Sequence, residues 1–443
     1  MARALPCNGP DLSIHLDSMK SFLTGQKISG YVSRTSPWVS TETNISISFH
    51  GRCSTEFINR DAPCHSNLDL FGRDGFRSEL FKGALHIPRS NPGNNNWPFE
   101  INIPSHPSSA SLKSHPFGKA SYLPLSCVEQ HALPPSFDLA NSITSSSFHE
   151  LALIEYYLEA TMTTADDPKH TGAIARLPIQ IRCESSPFPI TDFDVKIHSR
   201  QFNTVTSPRL TASAAVMDTA RASKRQQLAS ALLGRGISST PHLTFCLETS
   251  IASVLQSGSP YPIPFEIRAI PQWADTSKSI EGVPQIISIN SFKLALHSTT
   301  SIIAFSTGAV GASESVREEH IKRKTILAEY AAPKQSKKME RNNEAQFEDQ
   351  FERATPSGKR SLSLTYRNPL TLPVDDISKA LDLGQVLDMK LHHDHLQIHD
   401  VPTFVTYNVK RTYELKWKMA LEVGGKILSV KGRHSVLIMD KAE

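Results

Sequence analysis

Hydrophobic and polar residues alternate along much of the first half of the chain. A period of two places alternate side chains on a buried face and the others in water, which is typical of a half-buried strand. The pattern predicts strands within residues 12–16, 28–32, 45–49, 99–103, 154–160 and 177–183. Several short strands with turn residues between them favour an antiparallel β-sandwich over this half.

The stretch Asn95–Pro104, NNWPFEINIP, shows the alternation in a compact form. Pro98 and Pro104 bracket a short strand, and the asparagines that precede it favour a turn. Phe99, Ile101 and Ile103 are therefore predicted to face the core, with Trp97 covering its edge.

The second half repeats the pattern at residues 193–197, 243–247, 263–269 and 292–296. The longest alternation runs from Val405 to Leu421, where only Arg411 interrupts the apolar positions. Gly424 and Gly425 then supply a turn that tolerates positive φ, and further strands follow at residues 427–430 and 436–439. A long final hairpin is expected.

Two segments lack this alternation. Residues 212–233 place apolar side chains near helical spacing and end at Gly234, so a helix is predicted within a connection over residues 191–241. Residues 306–360 are rich in mixed charge and are interpreted as an exposed, partly helical and mobile insertion.

The composition bounds the class of protein. A chain of 443 residues favours two domains, and 39% hydrophobic with 20% charged residues is typical of a folded soluble protein. A net charge of +4 is too mild to indicate a nucleic-acid binder. The scattered cysteines and an N-terminus without a secretory signal favour reduced thiols and a cytoplasmic location. No apolar run is long enough to span a membrane, so association would be peripheral.

The densest group of potential ligands is HHDHLQIHD at residues 392–400. Imidazole and carboxylate suit zinc, so a metal-binding protein or an enzyme is one interpretation, and a solvated polar surface is the other. No CxxC pair, GxSxG elbow or glycine-rich phosphate loop accompanies the cluster, and no metal, cofactor or catalytic activity is predicted.

Two basic stretches are candidates for partner or anionic-lipid contact, since Lys and Arg bind phosphate. Their residues are Lys322, Arg323, Lys324, Lys334, Lys337 and Lys338. The neighbouring glutamates Glu318, Glu319, Glu340 and Glu344 leave a solvated mixed-charge face as the alternative.

A series of motifs resembles the arrestin-like proteins of the fungal α-arrestin type. In the first half these motifs are FLTGQKISGYV, ISISFHG, WPFEINIP, LPPSF at residues 133–137 and IEYYLEATM at residues 154–162. In the second half YPIPFEIRAI and PTFVTYNVKRTYELKWKMALEVGGK continue the series. The motifs follow the order of the family, and the resemblance covers most of the chain apart from residues 206–241 and the insertion.

The resemblance implies an all-β protein of two immunoglobulin-like antiparallel β-sandwiches. The N-terminal sandwich would comprise residues 8–190, and the C-terminal one residues 242–305 and 361–440. It also implies a non-catalytic adaptor or scaffold in trafficking, endocytosis or signalling, which binds cytoplasmic tails of membrane proteins. It would be cytoplasmic and recruited to the plasma membrane or endosomes.

One family feature is missing from the sequence. Many α-arrestins carry Pro-Pro-x-Tyr sequences that bind the WW domains of ubiquitin ligases, and this chain has none. The nearest match, Pro134-Pro135-Ser136-Phe137, coincides with the LPPSF segment. Recruitment of a ubiquitin ligase by that route is therefore not implied.

Overall fold

The computed structural model describes residues 11–17, 21–59, 62–72, 75–88, 95–113, 120–140, 151–164, 173–183, 186–210, 240–306, 315–332, 370–374, 380–391 and 402–442. The described chain is all-β, as the alternation predicts. The predicted helix at 212–233 and the histidine cluster at 392–400 lie outside the described residues.

Ten strands belong to the first half of the chain. They are β1 (Ser13–Leu16), β2 (Ser21–Leu23), β3 (Lys27–Arg34), β4 (Trp38–Asn59), β5 (Ala62–Asp69), β6 (Phe76–Ile87), β7 (Asn95–Asn102), β8 (Phe137–Ala140), β9 (Leu151–Thr164) and β10 (Ile174–Arg182). A short helix α1 (Ser109–Lys113) and a 3₁₀ turn at Val128–Gln130 lie between β7 and β8.

The second half contributes eleven described strands. They are β11 (Lys196–Thr206), β12 (His242–Ile251), β13 (Val254–Gln256), β14 (Phe265–Pro271), β15 (Gln285–Ser306), β16 (Ser315–Ala331), β17 (Leu370–Val374), β18 (Leu381–Asp382), β19 (Phe404–Val405), β20 (Val409–Val423) and β21 (Lys426–Met439). Helix α2 (Leu383–Val386) and 3₁₀ turns at Trp273–Asp275 and Lys278–Ile280 complete this half.

Most neighbouring strands pair antiparallel. In the first half β4 is the central strand, which pairs with β5, β6 and β9. A separate three-stranded sheet has the order β1-β3-β7. In the second half β12 lies between β11 and β14, and β20 pairs with β21 in the predicted final hairpin.

The predicted inward orientation of Phe99, Ile101 and Ile103 is confirmed, whereas the predicted start of the strand is wrong, because Asn95, Asn96 and Pro98 lie within β7 rather than before it. Strand β7 pairs with β3 and points Phe99 and Ile101 into the interior, with exposed fractions of 5% and 7%. Ile103 and Trp97 are buried as well. Trp97 joins the core directly, where its ring contacts Phe81 at a centroid distance of 6.3 Å.

The described residues form two hydrophobic cores, and the 22-residue strand β15 belongs to both. Its first part, with Ile287 and Ile289, packs into the second core beside β17 and β20. Its last part brings Ile302 and Ile303 into the first core and pairs with β5. The first core is therefore built from both halves of the chain.

Residues 404–409 also cross to the first core. The rings of Phe404 and Phe137 meet edge to face at 5.2 Å. Thr55 Oγ1 donates to the Ile303 carbonyl at 2.6 Å, which ties β4 to β15. The run predicted from Val405 is therefore two strands, because the chain bends over residues 406–408 to reach the first core.

Arg411 occupies an inward position on β20 and is only 6% exposed. Its Nε donates to the Tyr413 hydroxyl at 2.6 Å and its Nη1 to Thr300 Oγ1 at 3.0 Å. The guanidinium also lies over the Phe137 ring, 5.3 Å from its centroid. The residue that interrupts the hydrophobic pattern is thus placed inside by hydrogen bonds and a cation–π contact.

The predicted insertion at 306–360 is wrong for part of its length. Residues 315–331 form β16, which pairs antiparallel with β15 from Ser306 to Ser291. Ile321, Leu327 and Tyr330 bury their side chains, although charged residues surround them in the sequence. These side chains and the buried Ala328 hold the strand against the cores, while its other face is in water. Residues 333–360 lie outside the described residues.

Candidate interaction surface

The structure places half of the predicted contact residues on β16. Lys322 and Lys324 are exposed on this strand, with the backbone of Arg323 between them. Lys322 is paired with Thr299 and Lys324 with His297 of β15. Lys334, Lys337 and Lys338 lie outside the described residues.

Strand β16 is an edge strand among the described elements, because β15 is the one described strand that pairs with it. The opposite side of β16 therefore carries main-chain donors and acceptors without a strand partner in the described chain. An extended peptide can add to such an edge through main-chain hydrogen bonds.

Strands β20 and β21 add further cations beside β15. Lys416 is paired with Arg433, and Lys418 is paired with Lys431. The residues that alternate with these cations, such as Leu415 and Trp417, are buried in the second core. The period of two therefore directs the four cations outward. Lys418, Lys431 and Arg433 are exposed, and Lys416 is half-buried.

His297 connects the two groups of cations. Burial lowers the pKa of His297 from its ordinary value, and the charges of Lys416 and Lys324 lower it further. His297 on β15 therefore lies within electrostatic range of Lys416 on β20 and of Lys324 on β16. We call this surface the basic face. Its cations are Lys322, Lys324, Lys416, Lys418, Lys431 and Arg433.

Glu414 is one acidic residue within the basic face, and Glu318 is exposed on the same side of β16 as Lys322 and Lys324. Glu414 Oε2 lies 3.1 Å from Lys416 Nζ, and Glu414 Oε1 lies 3.9 Å from Arg433 Nε. The remaining cations, on β16 and at the pair of Lys418 and Lys431, have no ion pair with a described residue. Glu414 therefore neutralises part of the face and leaves a net positive charge.

An open groove of about 500 Å³ adjoins the basic face. Its lining residues come from β15, β20, β21 and the segment before β19, and they are Thr299, Thr403, Thr412, Tyr413, Glu414, Ser435, Val436 and Leu437. The hydroxyl groups can donate to or accept from a peptide main chain. Since Leu437 is 47% exposed, the groove also offers apolar contact.

The basic runs in the sequence do not include the cations of β20 and β21. Lys416, Lys418, Lys431 and Arg433 are separated by apolar residues, so no basic run appears in the sequence. The available signal was the outward half of the alternation from Val405, in which lysines recur. The pairing of β20 with β21 and with β15 then brings these positions together.

The structure offers no support for a metal centre in the part of the chain that it describes. No group of three or more His, Cys, Asp or Glu side chains is arranged to hold a metal ion there. The zinc interpretation of residues 392–400 remains a hypothesis, since that cluster lies outside the described ranges. Within these ranges, too, no helix is both long and apolar enough to span a membrane.

Comparison with known proteins adds no assignment. No protein-family profile matches the chain, and no curated protein sequence matches it.

Proposed function

We propose that this protein is a non-catalytic, arrestin-like adaptor that binds acidic segments in the cytoplasmic tails of membrane proteins. Two immunoglobulin-like β-sandwiches of the arrestin type would form around the two cores. The all-β architecture supports this proposal, as does the position of the motifs. WPFEINIP falls on β7, IEYYLEATM on β9 and YPIPFEIRAI on and before β14.

The basic face is the observation that carries the binding part of the proposal. It presents six cations and two carboxylates, Glu318 and Glu414, on an outer sheet surface next to an edge of β16 without a strand partner among the described residues and next to a groove of hydroxyl groups. Complementary charge steers an acidic partner and fixes its register. Main-chain hydrogen bonding to β16 or the groove would supply the remaining affinity without demanding one particular sequence.

This activity requires no chemical step and no cofactor. In a cell the protein would be cytoplasmic and would be recruited to the plasma membrane or endosomes by its membrane-protein partner. Coupling to a ubiquitin ligase would need a contact other than a Pro-Pro-x-Tyr motif, because the sequence has none.

Fluorescence anisotropy with a labelled glutamate-rich peptide tests the binding. The variant Lys416→Glu with Lys418→Glu reverses two charges of the basic face. Exposed charge pairs contribute about 0.2–1 kcal/mol each, so the reversal is expected to weaken binding about tenfold. The matched control is Lys82→Glu with Lys278→Glu, which reverses two exposed lysines elsewhere and should affect binding much less.

Three further measurements decide between partners. A serine and glycine peptide of equal length should not bind, and tight binding to it would exclude an electrostatic site. Vesicles rich in phosphatidylserine test the alternative that the face binds lipid; binding to vesicles but not to the peptide contradicts the adaptor proposal. In cells, the tagged full chain should lose membrane recruitment on reversal of Lys416 and Lys418.

A further inference from the structure

The segment between α1 and β8 is tied to residues 404–409 by hydrogen bonds to one carbonyl. The Tyr122 amide donates to the Tyr407 carbonyl at 3.1 Å, and Ser121 Oγ donates to the same oxygen at 3.2 Å. This contact brings Cys127 and His131 next to a residue that lies almost three hundred positions later in the sequence.

Cys127, His131 and Tyr407 form a continuous chain of polar contacts. Cys127 Sγ lies 3.6 Å from His131 Nε2, and His131 Nδ1 lies 3.0 Å from the Tyr407 hydroxyl oxygen. The imidazole is also packed against the Tyr407 ring, with a centroid distance of 5.7 Å. Contacts at both nitrogens hold the imidazole so that Nε2 faces the sulfur.

Tyr407 is suited to hold the imidazole rather than to exchange its own proton. It is 1% exposed, and burial raises its pKa to about 12. The phenol therefore stays protonated at neutral pH, and its oxygen can accept from Nδ1–H, the tautomer that leaves Nε2 unprotonated and able to act as a base. Cys127 and His131 are half-buried, so a small reagent can reach the sulfur.

Among the other described cysteines Cys183 is half-buried, as Cys127 is, and Cys53, Cys64 and Cys246 are buried. Burial raises the pKa of the Cys53 thiol far above its usual range, that of Cys183 to about 12, and that of Cys246 as well. Cys64 is fully buried. A thiolate is the reactive form of cysteine, and burial disfavours it. These cysteines provide internal references.

We propose that Cys127 is a site of oxidation by hydrogen peroxide, with His131 as its base and Tyr407 as a positioning residue. His131 Nε2 takes the thiol proton, and the sulfur attacks one peroxide oxygen. The S–O bond forms while the O–O bond breaks, and the departing hydroxide takes the proton from His131 to give water. Sulfur loses two electrons to the peroxide, and the product is the sulfenic acid of Cys127. This site is independent of the basic face and of the adaptor function.

Site-resolved labelling of the full chain tests the proposal. Dilute hydrogen peroxide followed by dimedone, with mass spectrometry of each cysteine peptide, should label Cys127 ahead of Cys183 and Cys246. His131→Gln should slow labelling of Cys127 about tenfold or more at pH 7, since a positioned base contributes at least that factor. The alkylation rate of Cys127 with iodoacetamide should fall equally at pH 7 and recover at alkaline pH, where no base is needed.

Matched variants separate activation from simple exposure. His65→Gln replaces an exposed histidine elsewhere and should leave the Cys127 rate unchanged. If His131→Gln does not fold, Tyr407→Phe provides the test and should slow the labelling of Cys127 by a smaller factor. A Cys127 rate that is unchanged in the folded His131 variant across the pH range, or that equals the rate in urea-unfolded protein, would overturn the proposal.

Discussion

The indole ring of Trp417 packs directly against the backbone of Gly432, its partner on the adjacent strand. A Cβ atom at position 432 would lie 2.6 Å from the ring carbons Cε2 and Cζ2. Real Cβ atoms do not approach other atoms so closely, so the second core can hold an inward tryptophan here only opposite glycine. Trp417 also buries its Nε1 without a described hydrogen-bond acceptor, which leaves packing to hold it.

Gly432→Ala should therefore destabilise the protein by about 1–3 kcal/mol, the usual cost of overpacking. Urea unfolding measures the loss. Ser429→Ala, at an exposed position of the same strand, should change stability by less than about 0.5 kcal/mol. Since the crowding atoms belong to the indole, Gly432→Ala should cost less in a Trp417→Phe background than alone. Equal costs in both backgrounds would show that the ring is not the cause.

Phe99→Ala should lower stability by about 3–5 kcal/mol, because the phenyl ring is buried in the first core. The matched control is Phe202→Ala, which truncates the same side chain at a position that is 69% exposed. Chemical denaturation of both variants provides the comparison. A similar loss in the two would contradict the inward orientation of Phe99.

Phe137 and Phe404 should contribute to stability as a coupled pair across the first core. Their rings meet edge to face at 5.2 Å, a geometry that contributes about 0.5–1.5 kcal/mol beyond burial. A double-mutant cycle with Phe137→Leu and Phe404→Leu measures this coupling. Additive losses would show that residues 404–409 pack on the first core without this specific contact.

Titration of His297 should make the folded state less stable as the pH falls below the ordinary pKa of histidine. The folded-state pKa of His297 is lowered, so the unfolded chain binds a proton more readily below a pH of about 6.5. The free energy of unfolding therefore decreases from neutral pH downward through the lowered pKa, and His297→Gln should reduce that slope.

The His297 ring can also be followed directly by NMR titration. Lys416→Gln removes one of the cations that lower its pKa, so the titration midpoint should move up. An unchanged midpoint would mean that Lys416 does not act on His297. Strands β15 and β20 would then not bring these two side chains close together.

Glu414→Gln should strengthen the binding of an acidic peptide to the basic face. The substitution removes the carboxylate that pairs with Lys416 and Arg433 and frees both cations for the ligand. At the value of an exposed ion pair, the gain is up to about fivefold. Glu281→Gln, at an exposed position elsewhere, is the control. The gain should disappear at about 1 M salt, where the screening length is near 3 Å.

Much of the strand content was predictable because alternation is a local property of a half-buried strand. The alternate spacing of Phe99, Ile101 and Ile103 was enough to predict that their side chains face the core. The failure at residues 315–331 is equally local. Charged residues outnumber the buried Ile321, Leu327, Ala328 and Tyr330 there, and composition suggested an exposed insertion where these four inward positions hold β16.

Pairing between distant strands is what only the tertiary structure decided. No local signal indicates that β15 runs through two cores, or that Arg411 is accommodated by Thr300 and the Phe137 ring. The basic face combines β16 with β20 and β21, and His131, beside Cys127, meets Tyr407 across the chain. The sequence determined which positions point inward, since that depends on neighbouring residues. Which surfaces and side chains meet depends on long-range packing of the whole chain, and the fold decided it.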